Sequence, residues 1–254
     1  MKATRIVVVA AIVLALASVG AAATRNTGAA GGPAPNGQNV ITPPDQRVGE
    51  TILYAPSEAD DPVLRSAIAA ITGGTVDYFD ASTGTPDVQT LQGYDCVYTW
   101  ANYAFADPTG YGNNLAAAVD AGTVVILGAF CTYTSGNSLG GAIMTAPYSP
   151  VYSPSGSNHF VTSNYAGDGT TPIYNGVTTF ECMFRDILAV QGSGVADGHY
   201  QDGEIAHAYR SDFKVIYSNG SGATQLGCTG QWAQLIANAC QVGVPVELQS
   251  INVE

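Results

Sequence analysis

The chain has 254 residues, 46% of them apolar, enough to close the core of one large domain or two small ones and to exclude a wholly disordered chain. Lys plus Arg number 8 against 20 Asp plus Glu, with no basic run to neutralise phosphates, so no nucleic-acid partner is expected. Charged residues make up only 11%, which leaves the surface to Ser, Thr, Asn, Gly and Tyr.

Lys2 and Arg5 precede an apolar run from Ile6 to Ala17, and small residues follow to Ala21, Ala22 and Ala23. A charged start, an apolar middle of this length and an A-x-A site predict a secretory signal peptide over residues 1–23. The competing reading is an uncleaved anchor, because the run to Ala23 nearly spans a bilayer. Cleavage removes two cations from a chain that already carries −12, so no association with anionic membranes is expected after it. The expected location is secreted or at the cell surface, with the periplasm included. Residues 24–48 are rich in Gly, Pro and Asn and read as a flexible linker.

From Glu50 onward, short β-branched or aromatic runs alternate with helical patterns. ILYA (52–55) reads as a buried strand. Asp61 and Pro62 then supply a cap and a first-turn proline for a helix that places Val63, Leu64, Ala67, Ile68 and Ile71 at helical period, and Gly73-Gly74 ends it. TVDYFD (75–80) is a second strand, DVQTLQG (87–93) a short helix and CVYTW (96–100) a third strand. Asn113 to Ala121 reads as a helix closed by Gly122, and TVVILGA (123–129) as a strand buried on both faces. Strand–helix–strand repetition predicts an α/β fold with a doubly wound, mostly parallel sheet, one domain over residues 49–243.

The second half is less regular. Residues 131–180 read as an irregular insertion with one helix near Leu139 to Thr145, and Cys182 to Val190 as helical or irregular. EIAHAYR (204–210) and FKVIYS (213–218), separated by Ser211-Asp212, predict a β-hairpin. A last helix, Thr229 to Cys240, places Trp232, Leu235, Ile236 and Ala239 on one face. The tail, residues 244–254, alternates apolar and polar residues and predicts an edge strand that could be donated to a neighbouring copy, the one expected route to self-association.

Five cysteines, at 96, 131, 182, 228 and 240, are an odd set in an exported chain, so pairing with one thiol left over is expected. Cys228 and Cys240 bracket the last helix about 18 Å apart, beyond the ~7 Å a bridge allows. Cys131 and Cys228 both fall at the C-terminal edge of a parallel sheet, which predicts a bridge between them. The alternative is Cys131 as a nucleophile, which a bonded sulfur could not be.

Asp197, His199, Asp202 and Glu204 lie within eight residues and form a weak candidate cation site, although their spacing is not that of a calcium loop. His207, alternating with Ile205 and Tyr209, reads as a packed strand histidine, and His159 has no recognisable partner. Trp100, Tyr103, Phe105 and Tyr111 cluster after the third strand. They are either core or an exposed aromatic shelf for sugar rings or a protein surface, near the strand ends where open α/β sheets take ligands. No G-x-G-x-x-G turn follows the first strand, and the acidic loop there disfavours phosphate, so no flavin or nucleotide cofactor is expected.

The stretches ILYAPSEADDPVLRSAI, LAAAVDAGTVVILGAF, Gly140 to Met144 with Tyr148-Ser149-Pro150, TPIYNGVTTF (171–180) and KVIYSNG before a helix ending IANAC resemble the class I glutamine-amidotransferase-like superfamily, which includes the ThuA-like proteins. The resemblance implies a flavodoxin-like fold over residues 49–243. Active members place a nucleophilic Cys in a strained strand-to-helix elbow between glycines and pair it with a His followed two residues later by Glu. Here Cys131 follows Gly128-Ala129-Phe130 with bulky neighbours, and His159, His199 and His207 lack that spacing, so the triad is missing by pattern.

Two functional expectations follow. The first is an exported, non-catalytic domain that binds a protein or polysaccharide partner or serves as a structural surface element. The second is a hydrolase with Glu58, Asp60 or Asp80 as acid or base, assisted by His199 or His207.

Overall fold

A computed structural model of the chain describes residues 24–27 and 34–243. The signal-peptide reading (1–23) and the edge-strand reading (244–254) lie outside the described residues.

The first half follows the local signals in order. β1 (Thr51–Tyr54) leads into α1 (Pro62–Thr72), where the Asp61 carboxylate accepts from Leu64 N at 3.0 Å and Gly73 ends the helix at φ 65°. Leu64 and Ile68 face the core, whereas Val63 and Ile71 are exposed. β2 (Thr75–Tyr78) is followed by α2 (Val88–Gln92), capped by Asp87, and then by β3 (Cys96–Thr99). α3 spans Pro108–Asp120, beginning five residues before the expected Asn113. The reason is a second Asp-Pro pair: Asp107 accepts from Gly110 N at 2.8 Å and Pro108 opens the helix, the same device as Asp61-Pro62. β4 (Val124–Leu127) is fully buried.

In the second half, β5 (Val151–Tyr152) pairs with β8 (Ala189–Val190), and β6 (Asn158–Asn164) pairs with β7 (Phe180–Asp186). Cys182 to Val190 is thus strand, not helix, because it finds antiparallel partners far away in sequence. The helix expected near Leu139 to Thr145 is a single 3-10 turn, Ala142–Met144. β9 (Gly194–His199), β10 (Ile205–Arg210) and β11 (Val215–Ser218) form an antiparallel meander, with the expected hairpin turning after Arg210. β12 (Thr229–Gly230) joins β7, and α4 (Trp232–Val242) closes the described fold.

The main sheet has seven strands in the order β2-β1-β3-β4-β11-β10-β9. The first five are parallel, and β10 and β9 extend the sheet antiparallel. α1 packs with α4 and α2 with α3, one pair on each face. This is the doubly wound, flavodoxin-like α/β architecture that the sequence predicts. The order reverses between β1 and β3, which makes the C-terminal ends of those two strands the topological switch point.

The segment read as a flexible linker is laid on this domain where it is described. Val40 and Tyr78 exchange backbone hydrogen bonds at 2.9 Å, which covers the β2 edge. Arg47 stacks 3.9 Å above the Tyr94 ring and donates to Gly93 O at 2.7 Å. Gly, Pro and Asn content is a poor guide here, because a few long-range backbone and side-chain bonds anchor the chain.

Candidate functional site

Two places in this fold could carry chemistry: the turn after β4, which holds Cys131, and the switch point after β1 and β3.

The turn after β4 keeps an elbow's backbone. Phe130, a non-glycine residue, has φ 67°, the left-handed conformation that normally costs about 1–2 kcal/mol. Gly128 is required beside it, since a Cβ there would come within 2.7 Å of Gly220 O. The strained residue is therefore a phenylalanine, fully buried against Tyr133 and Phe184 with ring centroids at 5.3 and 5.8 Å. Backbone N–H groups that could form an oxyanion hole are already bound. Phe130 N donates to Asp186 Oδ1 at 3.0 Å, Cys131 N to Gly128 O at 3.2 Å and Thr132 N to Asp186 Oδ2 at 3.2 Å.

The expected Cys131–Cys228 bridge is not formed. Cys182 pairs with Cys228 and Cys96 with Cys240, leaving Cys131 as a buried thiol. The cause is β7: its pairing with β12, Glu181 opposite Thr229, brings Cys182 beside Cys228, Cα to Cα 4.0 Å. α4 runs back over β3 and β4, so its end reaches Cys96 at the start of β3. That Cys228 and Cys240 do not pair with each other holds. Cys131 Sγ faces Thr99 O at 3.9 Å, and burial pushes its thiol far above the ordinary range, so no thiolate is at hand.

A Ser–His contact does exist, between His207, which the sequence reading named, and Ser218, which it did not. His207 on β10 lies opposite Ser218 on β11, with Nε2 2.8 Å from Ser218 Oγ and Nδ1 2.9 Å from Tyr174 Oη. Tyr174 donates its own proton to Asp197 O at 2.7 Å, so the Tyr174 oxygen accepts from Nδ1–H and Nε2 accepts from Ser218. This has the order of a hydrolytic dyad without its carboxylate. All of His207 and Ser218 is buried, and Phe180, Tyr174 and Trp232 pack around the imidazole. Burial pushes the His207 pKa down to about 3. Such a pair fixes a core and leaves no room for a substrate.

The acidic run 197–204 does not converge on one point. Asp197 accepts from Thr170 and Thr171, His199 Nδ1 sits 2.8 Å from Asp168, Asp202 receives Arg185 at 2.7 Å, and Glu204 contacts His159 at 3.0 Å. Each group is thus held by a different partner, and among the described residues no group of three or more His, Cys, Asp or Glu side chains could hold a metal ion. The expected aromatic shelf is core: Trp100, Tyr103, Phe105 and Tyr111 are all buried, with Trp100 Nε1 donating to Tyr54 Oη at 3.1 Å. Nor does the sheet unite the carboxylates after β1 and β2 with His207. β10 lies four strand spacings from β1, about 19 Å.

The switch point is the better-built site. Ser57 continues β1 and bridges to Ala101 beyond β3. Glu58 follows it, fully buried: Oε2 accepts from Asn102 Nδ2 at 2.6 Å and Oε1 from Ala59 N at 2.9 Å. Burial raises the Glu58 pKa, opposed by those donors and by the Arg25 guanidinium 3.4 Å away. Arg25 also bonds Tyr103 Oη and lies 5.0 Å over its ring. Asp80, after β2, is likewise buried and accepts from Gly37 N at 2.7 Å and Ser82 Oγ at 2.6 Å. Of these groups the sequence reading named Glu58, Asp80 and Tyr103. It missed Arg25 and Asn102, for which neither spacing nor composition gives a signal.

No family model and no curated protein matches the sequence. In structure the chain is similar to a cytoplasmic protein from Salmonella typhimurium, 12% identical with a TM-score of 0.53, over 75% of this chain and 98% of that one. A second cytoplasmic protein, from Salmonella typhimurium LT2, is 10% identical with a TM-score of 0.54, over 76% and 99%. A ThuA-like protein from Bacteroides uniformis aligns more loosely, with 10% identity and a TM-score of 0.44 over 77% and 91%. At such identities the likeness speaks to architecture alone, and that architecture is the flavodoxin-like fold implied by the sequence's resemblance to the amidotransferase-like and ThuA-like group.

Proposed function

We propose that the chain is an exported α/β domain that acts by binding, at the cell surface or outside the cell, with a protein or polysaccharide as its partner. The observation that carries this reading is Phe130: the left-handed turn after β4, shaped to project a nucleophile, holds a buried phenyl ring instead. Export is supported by the Lys2-to-Ala23 pattern and by the two disulfides, which persist in oxidising compartments.

The test has two parts. Expression in an exporting host should deliver protein outside the cytoplasm with both bridges formed, and recovery of only cytoplasmic, reduced protein would overturn the location. The isolated protein should show no turnover of ester, amide or glycosidic substrate panels. Turnover that disappears on Glu58→Gln or His207→Gln would replace binding with hydrolysis.

A further inference from the structure

Residues Thr24–Thr27 lie across the switch point as a peptide lies in a cleft. The Arg25 guanidinium meets a buried carboxylate, Glu58, together with the hydroxyl and the ring face of Tyr103. Asn26 N donates to Asn102 O at 2.7 Å. The Asn26 side chain makes a reciprocal pair with the backbone of Asn137, donating to its O at 2.8 Å and accepting from its N at 2.6 Å. Asn137 Nδ2 in turn holds Thr24 O at 2.7 Å, and Thr27 N reaches Asn102 Oδ1 at 3.3 Å.

We propose that this crevice is a receptor site for a short peptide bearing an arginine, and that the chain's own Thr24–Thr27 occupies it in cis and yields it to a competing segment of the same chemistry. The proposal deepens the binding reading above and rests on it. Three features select the ligand. The walls come from loops after β1, β3 and β4, anchored on rigid strand ends at the place where open α/β sheets take ligands. The contacts to the segment's main chain and to Asn26 accept a short peptide that turns at the residues after its arginine. Glu58, once Arg25 leaves, is a buried carboxylate with two neutral donors and, among the described residues, no cation paired to it, a state that favours capture of another guanidinium. A tethered segment acts at an effective concentration of about millimolar, so a free peptide competes only when the tethered copy is weakened.

The test uses the full chain with Arg25→Ala and Asn26→Ala together, and the probe peptide acetyl-Thr-Arg-Asn-Thr-amide. The peptide should bind this variant below about 1 mM and bind the wild type at least about tenfold more weakly; the same peptide with citrulline for arginine should lose about tenfold on the variant. Mixing the variant with wild type separates a second copy of the chain as the source of the competing segment, since donation in trans yields a heterodimer in sedimentation. A folded variant that binds neither peptide nor wild-type chain, or binds both peptides equally, overturns the proposal while leaving the binding reading intact. Turnover of substrate would remove that reading instead. Hydrogen exchange on the wild type keeps the proposal exposed even where the variant fails to fold. The Asn26 and Thr27 amides should exchange through local opening, at least about a hundredfold faster than the β3 amides, and equal protection would make the segment a fixed part of the core.

Discussion

Phe130 N and Asp186 Oδ1 are 3.0 Å apart, and this bond pins the left-handed turn after β4 to the end of β7. Asp186 is fully buried and also accepts from Thr132 N at 3.2 Å, from Thr132 Oγ1 at 2.7 Å, from Tyr217 Oη and from Asn158 Nδ2. One carboxylate thus joins the parallel sheet to the irregular second half. Asp186→Ala strands several buried donors at once, so it should cost about 3–5 kcal/mol in urea unfolding. Asp212→Ala, which removes the half-exposed partner of Arg210, should cost less than about 1 kcal/mol. Equal losses would show that Asp186 is not the junction.

The strain at Phe130 can be measured apart from its packing. Both Phe130→Ala and Phe130→Gly lose the ring's contacts with Tyr133 and Phe184. At most buried positions glycine is the worse replacement, because it adds backbone freedom to the unfolded chain. At φ 67° the order should invert, with Phe130→Gly more stable than Phe130→Ala by about 1 kcal/mol. Alanine proving the more stable would mean that the turn does not hold its left-handed form in solution.

The thiols give a count that discriminates between bridge patterns. Native protein should take up no alkylating reagent, because Cys131 is buried and the other four are bonded. Denatured but unreduced protein should label once, at Cys131. Peptide mapping should return Cys96 with Cys240 and Cys182 with Cys228. Since the first bridge spans 144 residues, Cys96→Ala with Cys240→Ala should lower stability by about 3–5 kcal/mol.

The bridges also show where sequence reasoning reaches and where it stops. Asp61-Pro62 and Gly73 mark α1 from both ends, and the apolar run of β4 announces a central strand, so the parallel half is legible. Its signals are local. β7 is not legible, because its strand character comes from β6 and β12, which pair with it from a distance. The cysteine pairing was lost with it. At the site, Glu58 could be named from an acidic loop after a first strand, but Arg25 and Asn137 join it only through the path of the chain. Trp100, Tyr103, Phe105 and Tyr111 gave no sign of which side of the surface they fall on, since aromatic content serves a core and a shelf alike.

His207 supplies a pH dependence with a definite sign. Its ordinary pKa is 6.5, and burial lowers it to about 3 in the folded protein. Below pH 6.5 the unfolded chain takes up a proton that the native imidazole refuses, so stability falls as pH falls and continues to fall until about pH 3. The slope approaches about 1.4 kcal/mol per pH unit, which gives a loss of about 2 kcal/mol between pH 7 and pH 5. Carboxylates held below their ordinary range, such as Asp197 and Asp202, add losses at lower pH, so the His207 share is read as a difference. His207→Gln keeps a donor and an acceptor for Tyr174 and Ser218 but does not titrate. Urea unfolding of the two proteins at pH 7 and pH 5 should therefore show the wild type losing about 2 kcal/mol more than the variant. Parallel losses would mean that the imidazole is solvated and titrates normally, and the Ser218–His207 pair would then regain standing as an accessible dyad.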